Sequence, residues 1–445
     1  MNIPAKGSSV KTSLTLVPPS PVTDQIVVTI RGAVGNHTDK PREYRTAVYL
    51  DREDPASLLH RQRLQVAPGR PEGISFRWPT KGHAGKRQII LVVSAGVQQW
   101  RAVQPLEVIA SNTRSTGRID GAFAGIYHWS ETEGRLWNAD IKHMSDHQWR
   151  ELVRAMHEIG MDVVVIQETV RNQAYVGKHA IEAEGYHGKA FYPSRLHPQR
   201  MPVAAKDPVE AILSEADELG MNVFMGAGLY AWFDFTAGSL KWHTRLAEEL
   251  WQLYGHHPSF YGWYVSEETD GGLVCCDGDA TRHPQRQREV VDFFRGFKAY
   301  VTARAPDKPV MLATNAHNLR AAREVYPELM KSLDIICPFA FHRMPPGDYT
   351  GEEAAAILQK YCDDAGAHLW LDLEVFLFTP DNALYPRPIE GLASDLHRFT
   401  NFEKIICYQF PGLMNAPWMT LKPGGPDTVK LFQDYTKFLA GGIRS

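Results

Sequence analysis

The chain has 445 residues, 44% hydrophobic and 22% charged, with a formal net charge of -3. That length exceeds the roughly 250 residues of a plain (β/α)8 barrel, so an accessory domain is expected, and the near-average composition excludes a disordered or low-complexity chain. No Lys/Arg run points to nucleic acid or an anionic membrane as a partner, and five cysteines are too few for a disulfide framework, so mostly free thiols are expected.

The N-terminal residues MNIPAKGSSVKTSLTL hold no continuous apolar stretch, and no run of about 18 apolar residues follows, so neither an export signal nor a membrane span is visible. The expected location is periplasmic or secreted if a signal has been trimmed, and cytoplasmic otherwise. Residues 12–109 alternate apolar and polar side chains in short runs (26–30, 44–50, 73–78, 88–95) separated by turn-rich stretches. This predicts an Ig-like antiparallel β-sandwich within residues 1–112. The polar stretch 111–118 reads as a linker into a second domain, 113–445.

There the pattern changes to strand and helix in alternation. Strands are predicted at 121–129, 161–168, 221–228, 259–268, 309–314, 334–341, 368–374 and 404–410. The helices between and after them fall at 145–159, 208–219, 240–254, 285–303, 319–331, 352–365, 389–400 and 428–439. A long insertion, 170–206, carries Tyr175, His179, Tyr186, His187 and Tyr192 and is expected to shape a cleft. Eight near-continuous apolar strands, each followed by a helix, predict an α/β fold closed into a (β/α)8 TIM barrel. The first strand is followed by neither GxGxxG nor GxxxxGK[ST], which argues against an open nucleotide-binding sheet.

Functional groups of such barrels gather at the C-terminal strand ends. Those ends offer Tyr127, His128 and Trp129; Gln167 and Glu168; Tyr230 and Trp232; Glu267 and Glu268; Asn315 and His317; His342; Asp372 and Glu374; Tyr408 and Gln409. Cleaving a glycosidic bond takes one carboxylic acid to protonate the leaving oxygen and a second carboxylate to attack the anomeric carbon or activate water. Acids ending strands four and seven supply such a pair. Tyr127, Trp129, Tyr230, Trp232 and Tyr408 are candidates for a sugar platform or for second-layer packing. Period-two alternation puts Trp370, Asp372 and Glu374 on one face, with Asp372 expected to support Glu374. Glu168 either binds substrate or joins a charge network, and His128, Asn315, His342, Trp370 and Gln409 complete the expected substrate-binding set. No His-x-His ends strand one and no HExxH occurs, so neither a metal nor an organic cofactor is expected. Cys337 and Cys407 fall inside apolar strands and are expected in the core.

Gly-Trp-Tyr-Val-Ser-Glu-Glu at 262–268 resembles the strand-four motif of glycoside hydrolase clan A, in which a tryptophan-led strand ends in Asn-Glu. The resemblance implies that Glu268 is the acid/base and that Glu267 takes the place of the asparagine that contacts the sugar 2-hydroxyl. A one-residue slip would make Glu267 the acid/base instead. Leu-Trp-Leu-Asp-Leu-Glu at 369–374 is similar to the clan's nucleophile strand, which implies Glu374 as nucleophile and a retaining mechanism, with the carboxyl groups about 5 to 5.5 Å apart. The chain also resembles glycosidase-like barrels classed as domains of unknown function. The implied partner is an oligo- or polysaccharide; a barrel that binds carbohydrate without cleaving it is the alternative.

Overall fold

A computed structural model describes residues 9–172 and 185–441; Tyr175 and His179 of the expected cleft loop lie outside them. The chain divides into two compact units. One ends at Thr116 and takes in Lys298–Pro309; the other holds Gly117–Phe297 and the chain from Val310 onward.

In the first unit the alternating runs form two sheets. Val10–Val17, Val27–Asn36 and Pro71–Pro79 pair antiparallel in that order. The second sheet is ordered Val22–Thr23, Gln98–Ile109, Gly85–Ala95, Arg42–Leu50 and Leu58–Val66, antiparallel except where Val22–Thr23 runs parallel to its neighbour. Leu14, Val28 and Ile30 of the first sheet share a core with Tyr44, Val48, Leu91 and Val93 of the second, as the period-two alternation requires.

In the second unit eight parallel strands close a barrel. We number them β1 (Gly121–Ala124), β2 (Val163–Ile166), β3 (Asn222–Gly226), β4 (Phe260–Val265), β5 (Val310–Asn315), β6 (Ile335–Phe339), β7 (His368–Glu374) and β8 (Lys404–Tyr408). Their residues are almost all buried, which is why the sequence reads there as unbroken apolar runs: helices cover one side and barrel interior the other. At the N-terminal end of β8, Lys404 is fully buried, with Nζ 3.1 Å from Oδ1 of the equally buried Asp120.

Helix ends follow local chemistry. Pro208–Leu219 starts where the Asp207 side chain accepts from the backbone N–H of Glu210, and it stops at Gly220, whose φ of 70° suits a residue without Cβ. The helix predicted at 319–331 is instead three short turns, Leu319–Ala322, Tyr326–Leu329 and Met330–Ser332. Pro327 has no N–H to continue a helical ladder, so the apolar spacing there does not yield one helix. A hairpin, Phe376–Phe378 with Leu384–Pro386, follows β7 and was not expected from the sequence. Strand one is also shorter than the predicted 121–129, leaving Tyr127, His128 and Trp129 on the loop that follows it. Among the described residues no helix is long and apolar enough to cross a membrane.

Candidate active site

Glu267 and Glu268 are consecutive, and the chain points them to opposite sides. Glu267 is fully buried and accepts from the backbone N–H groups of Tyr230 at 2.9 Å and Ala231 at 3.2 Å. His243 Nε2 lies 3.8 Å from the same oxygen. Burial, and then the charge of Asp234, hold the Glu267 carboxyl well above the usual range. It anchors the loop after β3 from within. Glu268 is partly exposed and accepts from the indole N–H of Trp232, while its own backbone N–H donates to the Trp232 carbonyl at 3.0 Å. Burial pushes the Glu268 carboxyl up to about 7; the Trp232 hydrogen bond and the charge of Arg343 oppose the rise, and the charges of Glu133 and Glu374 add to it.

Glu374, the last residue of β7, is enclosed by a turn that follows β6. Arg343 donates to it through Nε at 3.0 and 3.1 Å and through Nη2 at 2.6 Å, and His342 Nδ1 stands 3.1 Å away. The turn is entered through Ala340 at φ 71°, a left-handed conformation that costs a residue with a Cβ about 1–2 kcal/mol. Burial alone would raise the Glu374 carboxyl, but the hydrogen bonds from His342 and Arg343 bring it below its ordinary value. Asp372 lies two residues earlier on the same strand, and its Oδ1 makes no hydrogen bond among the described residues. Burial, then the charges of Glu374 and Glu268, keep Asp372 well above the usual carboxylate range.

Of the expected sugar platform, Trp129 and Trp232 are partly exposed, with ring centroids 4.8 Å apart. Tyr408 packs 6.1 Å from Trp129 and donates to Gln167 at 3.1 Å. Three residues belong elsewhere. Tyr127 is enclosed with its hydroxyl on Glu131, Tyr230 is enclosed with its hydroxyl 2.8 Å from His197 Nε2, and Trp370 lies in the barrel interior, edge-on to Phe224. All three rings are covered in this structure. Glu168 is likewise enclosed and paired with Arg171, which also donates to the His128 carbonyl at 2.7 Å. Asn315 spends its Oδ1 on the backbone N–H groups of Gly271 and His317. Gln409 is buried over Gly125, where an added Cβ would lie 2.1 Å from its Oε1, and neither of its amide atoms has a hydrogen-bond partner among the described residues.

Two residues near this site escaped sequence reasoning. Arg343 is one. Glu133, on the loop after β1, is the other: its Oε2 is 3.5 Å from His128 Nε2, and burial raises its carboxyl. His128 Nδ1 accepts from the backbone N–H of Ser130, and burial followed by the charge of Arg171 pushes the imidazole down to about 3, so the ring is neutral with its proton on Nε2 toward Glu133. Nothing in the local pattern separates Glu133 from other loop acids such as Glu131.

A family model described as a domain of unknown function, DUF4434, matches residues 119–420. The chain belongs to the DUF4434 family. That span contains all eight strands of the DUF4434 barrel together with Glu133, Glu268, Arg343 and Glu374. No protein of curated function matches the sequence. Among solved structures, this DUF4434 chain is similar to a Bacteroides thetaiotaomicron protein assigned as an α-L-fucosidase, at 17% identity and a TM-score of 0.50, over 73% of this chain and 94% of that one. Bacteroides uniformis β-glucuronidase 2 matches at 14% identity and a TM-score of 0.42, over 92% of this chain and 46% of its own. A β-galacturonidase from Eisenbergiella tayi matches at 10% identity and a TM-score of 0.39, over 96% of this chain and 72% of its own. At such identities the likeness is one of fold.

Proposed function

We propose that this chain is a glycoside hydrolase of the retaining, clan A type, with Glu268 as acid/base and Glu374 as nucleophile. The observation that carries the reading is a pair of carboxyl groups after β4 and at the end of β7, Glu268 under the Trp232 indole N–H and Glu374 in the clasp of Arg343 and His342, whose surroundings shift them in opposite directions. Glu268 is raised to about 7 and can hold a proton near neutrality, while Glu374, held by Arg343 and His342, stays ionised. Pairs of carboxyls pushed apart in this way divide the acid and nucleophile roles.

In the first step the Glu374 carboxylate attacks the anomeric carbon, the bond to the leaving oxygen breaks, and Glu268 gives that oxygen its proton. In the second, Glu268, now ionised, takes a proton from water as the water oxygen attacks the anomeric carbon and the Glu374 ester bond breaks. Trp129 and Trp232 offer a partly exposed indole surface beside Glu268 for the sugar.

One feature favours a second reading, that of a carbohydrate-binding barrel without turnover: three guanidinium contacts occupy Glu374. Sugar release from a panel of polysaccharides and aryl glycosides, with E268Q and E374Q alongside, decides between them. Release by the wild type with losses of about a thousandfold or more in both variants supports the hydrolase. Full activity in both variants refutes the assignment of the pair, and binding without release supports the second reading.

A further inference from the structure

We propose a second sugar-binding position beside Glu374, built on Phe378 of the hairpin after β7, that holds the neighbouring unit of an oligosaccharide. The proposal rests on the glycosidase reading for its ligand class and on its own contacts for its location.

Phe376 and Phe378 are two residues apart on one hairpin strand and meet edge to face with centroids 5.4 Å apart. Phe376 is buried and packs 6.0 Å from Tyr408, which in turn packs against Trp129. Phe378 is 42% exposed. Its ring centroid is 5.9 Å from the guanidinium carbon of Arg343, the residue that holds Glu374. A row of rings thus leads from the wall of the site out to solvent, and ends next to Arg343, which clasps the residue proposed as nucleophile.

The hairpin that carries the ring is closed and tied down. Thr379 N–H donates to the Ala383 carbonyl at 2.8 Å, Thr379 Oγ1 donates to Asp381 at 2.6 Å, and Arg135 Nη1 binds Asp381 at 2.6 Å. The backbone N–H of Leu384 donates to the Glu133 carbonyl at 3.0 Å, tying the hairpin to the loop that carries Trp129. An exposed phenyl ring beside the Arg343 guanidinium, on a hairpin whose turn carries the solvent-exposed Arg135–Asp381 pair, combines an apolar surface with donors and acceptors. A pyranose presents the complement, with C–H groups on its face and hydroxyls around its rim. A single ring among charges is too small an apolar area for a protein partner, which needs a contiguous patch.

The test measures kcat/KM of the full chain on α- and β-linked gluco-, galacto-, manno- and xylo-oligosaccharides of two to six units and on the matching aryl monoglycosides. Wild type, F378A and F378Y are compared. The expected result is that F378A lowers the ratio of oligosaccharide to monoglycoside kcat/KM by about tenfold and F378Y restores most of it. Where a sugar is bound without turnover, quenching of tryptophan fluorescence gives the same comparison through Kd. Equal losses on long and short substrates, or hydrolysis by wild type that ignores Phe378, overturns the second position and leaves the hydrolase standing. A panel neither cleaved nor bound overturns the hydrolase reading and this proposal together.

Discussion

Replacing Trp232 with phenylalanine tests how the acid/base is tuned. The indole N–H of Trp232 donates to the Glu268 carboxylate and so favours its ionised form, opposing the burial that raises it. A hydrogen bond to a charged group contributes about 1.5–3 kcal/mol, and about 1.4 kcal/mol corresponds to one pKa unit. Glu268 keeps some contact with solvent, so the lower end applies and a rise of about one unit is expected. The general acid must be protonated, so wild-type kcat/KM falls as pH rises through about 7, and in W232F that basic limb moves up by about a unit. The second step then slows at pH values where Glu268 has regained its proton and cannot act as base. The assay is a pH profile of kcat/KM on an oligosaccharide or alkyl glycoside, whose poor leaving group needs the acid, with a profile of kcat on an activated aryl glycoside, whose good leaving group exposes the second step. A basic limb that stays in place or moves down refutes the reasoning, since a change in packing alone would alter kcat/KM without shifting the limb upward.

Arg343→Gln removes the guanidinium from Glu374, whose carboxyl then rises under burial. Activity needs this group ionised, so the acidic limb of the profile should move to higher pH; an unmoved limb would count against the clasp. Lys404→Met leaves the buried Asp120 carboxylate without its cation and should lower unfolding free energy by about 3–5 kcal/mol in a urea titration. A loss under about 1 kcal/mol would show that the pair contributes little.

The barrel was legible because its strands are covered on both sides and read as eight apolar runs alternating with helices, and because no phosphate-binding glycine loop followed the first strand to favour an open sheet. The pairing of β4 with the Glu267–Glu268 ending and of β7 with Glu374 was legible for the same reason, since strand ends are fixed by strand register. Residues brought by loops were not. Glu133 sits in a loop whose course depends on the contact of its backbone with Leu384, over two hundred residues later, and Arg343 reaches Glu374 only through the left-handed turn at Ala340. Burial was also illegible: Tyr230 and Trp232 are two residues apart and both aromatic, yet one is enclosed against His197 and the other meets Trp129 at the surface of the site. The break in the predicted helix at 319–331 had a local signal in Pro327, which the apolar spacing outweighed in the reading.

Arg343 clasps Glu374 but its charge is also felt at Glu268. On the proposed mechanism, esterification to a sugar removes the charge of Glu374, so the guanidinium loses its counter-ion while Glu268 loses the neighbour that had been raising it. Both changes favour ionised Glu268 in the half of the reaction that calls for a base. One fixed cation between two carboxylates would then act as a metronome, passing its electrostatic support to each in turn without moving an atom of the backbone.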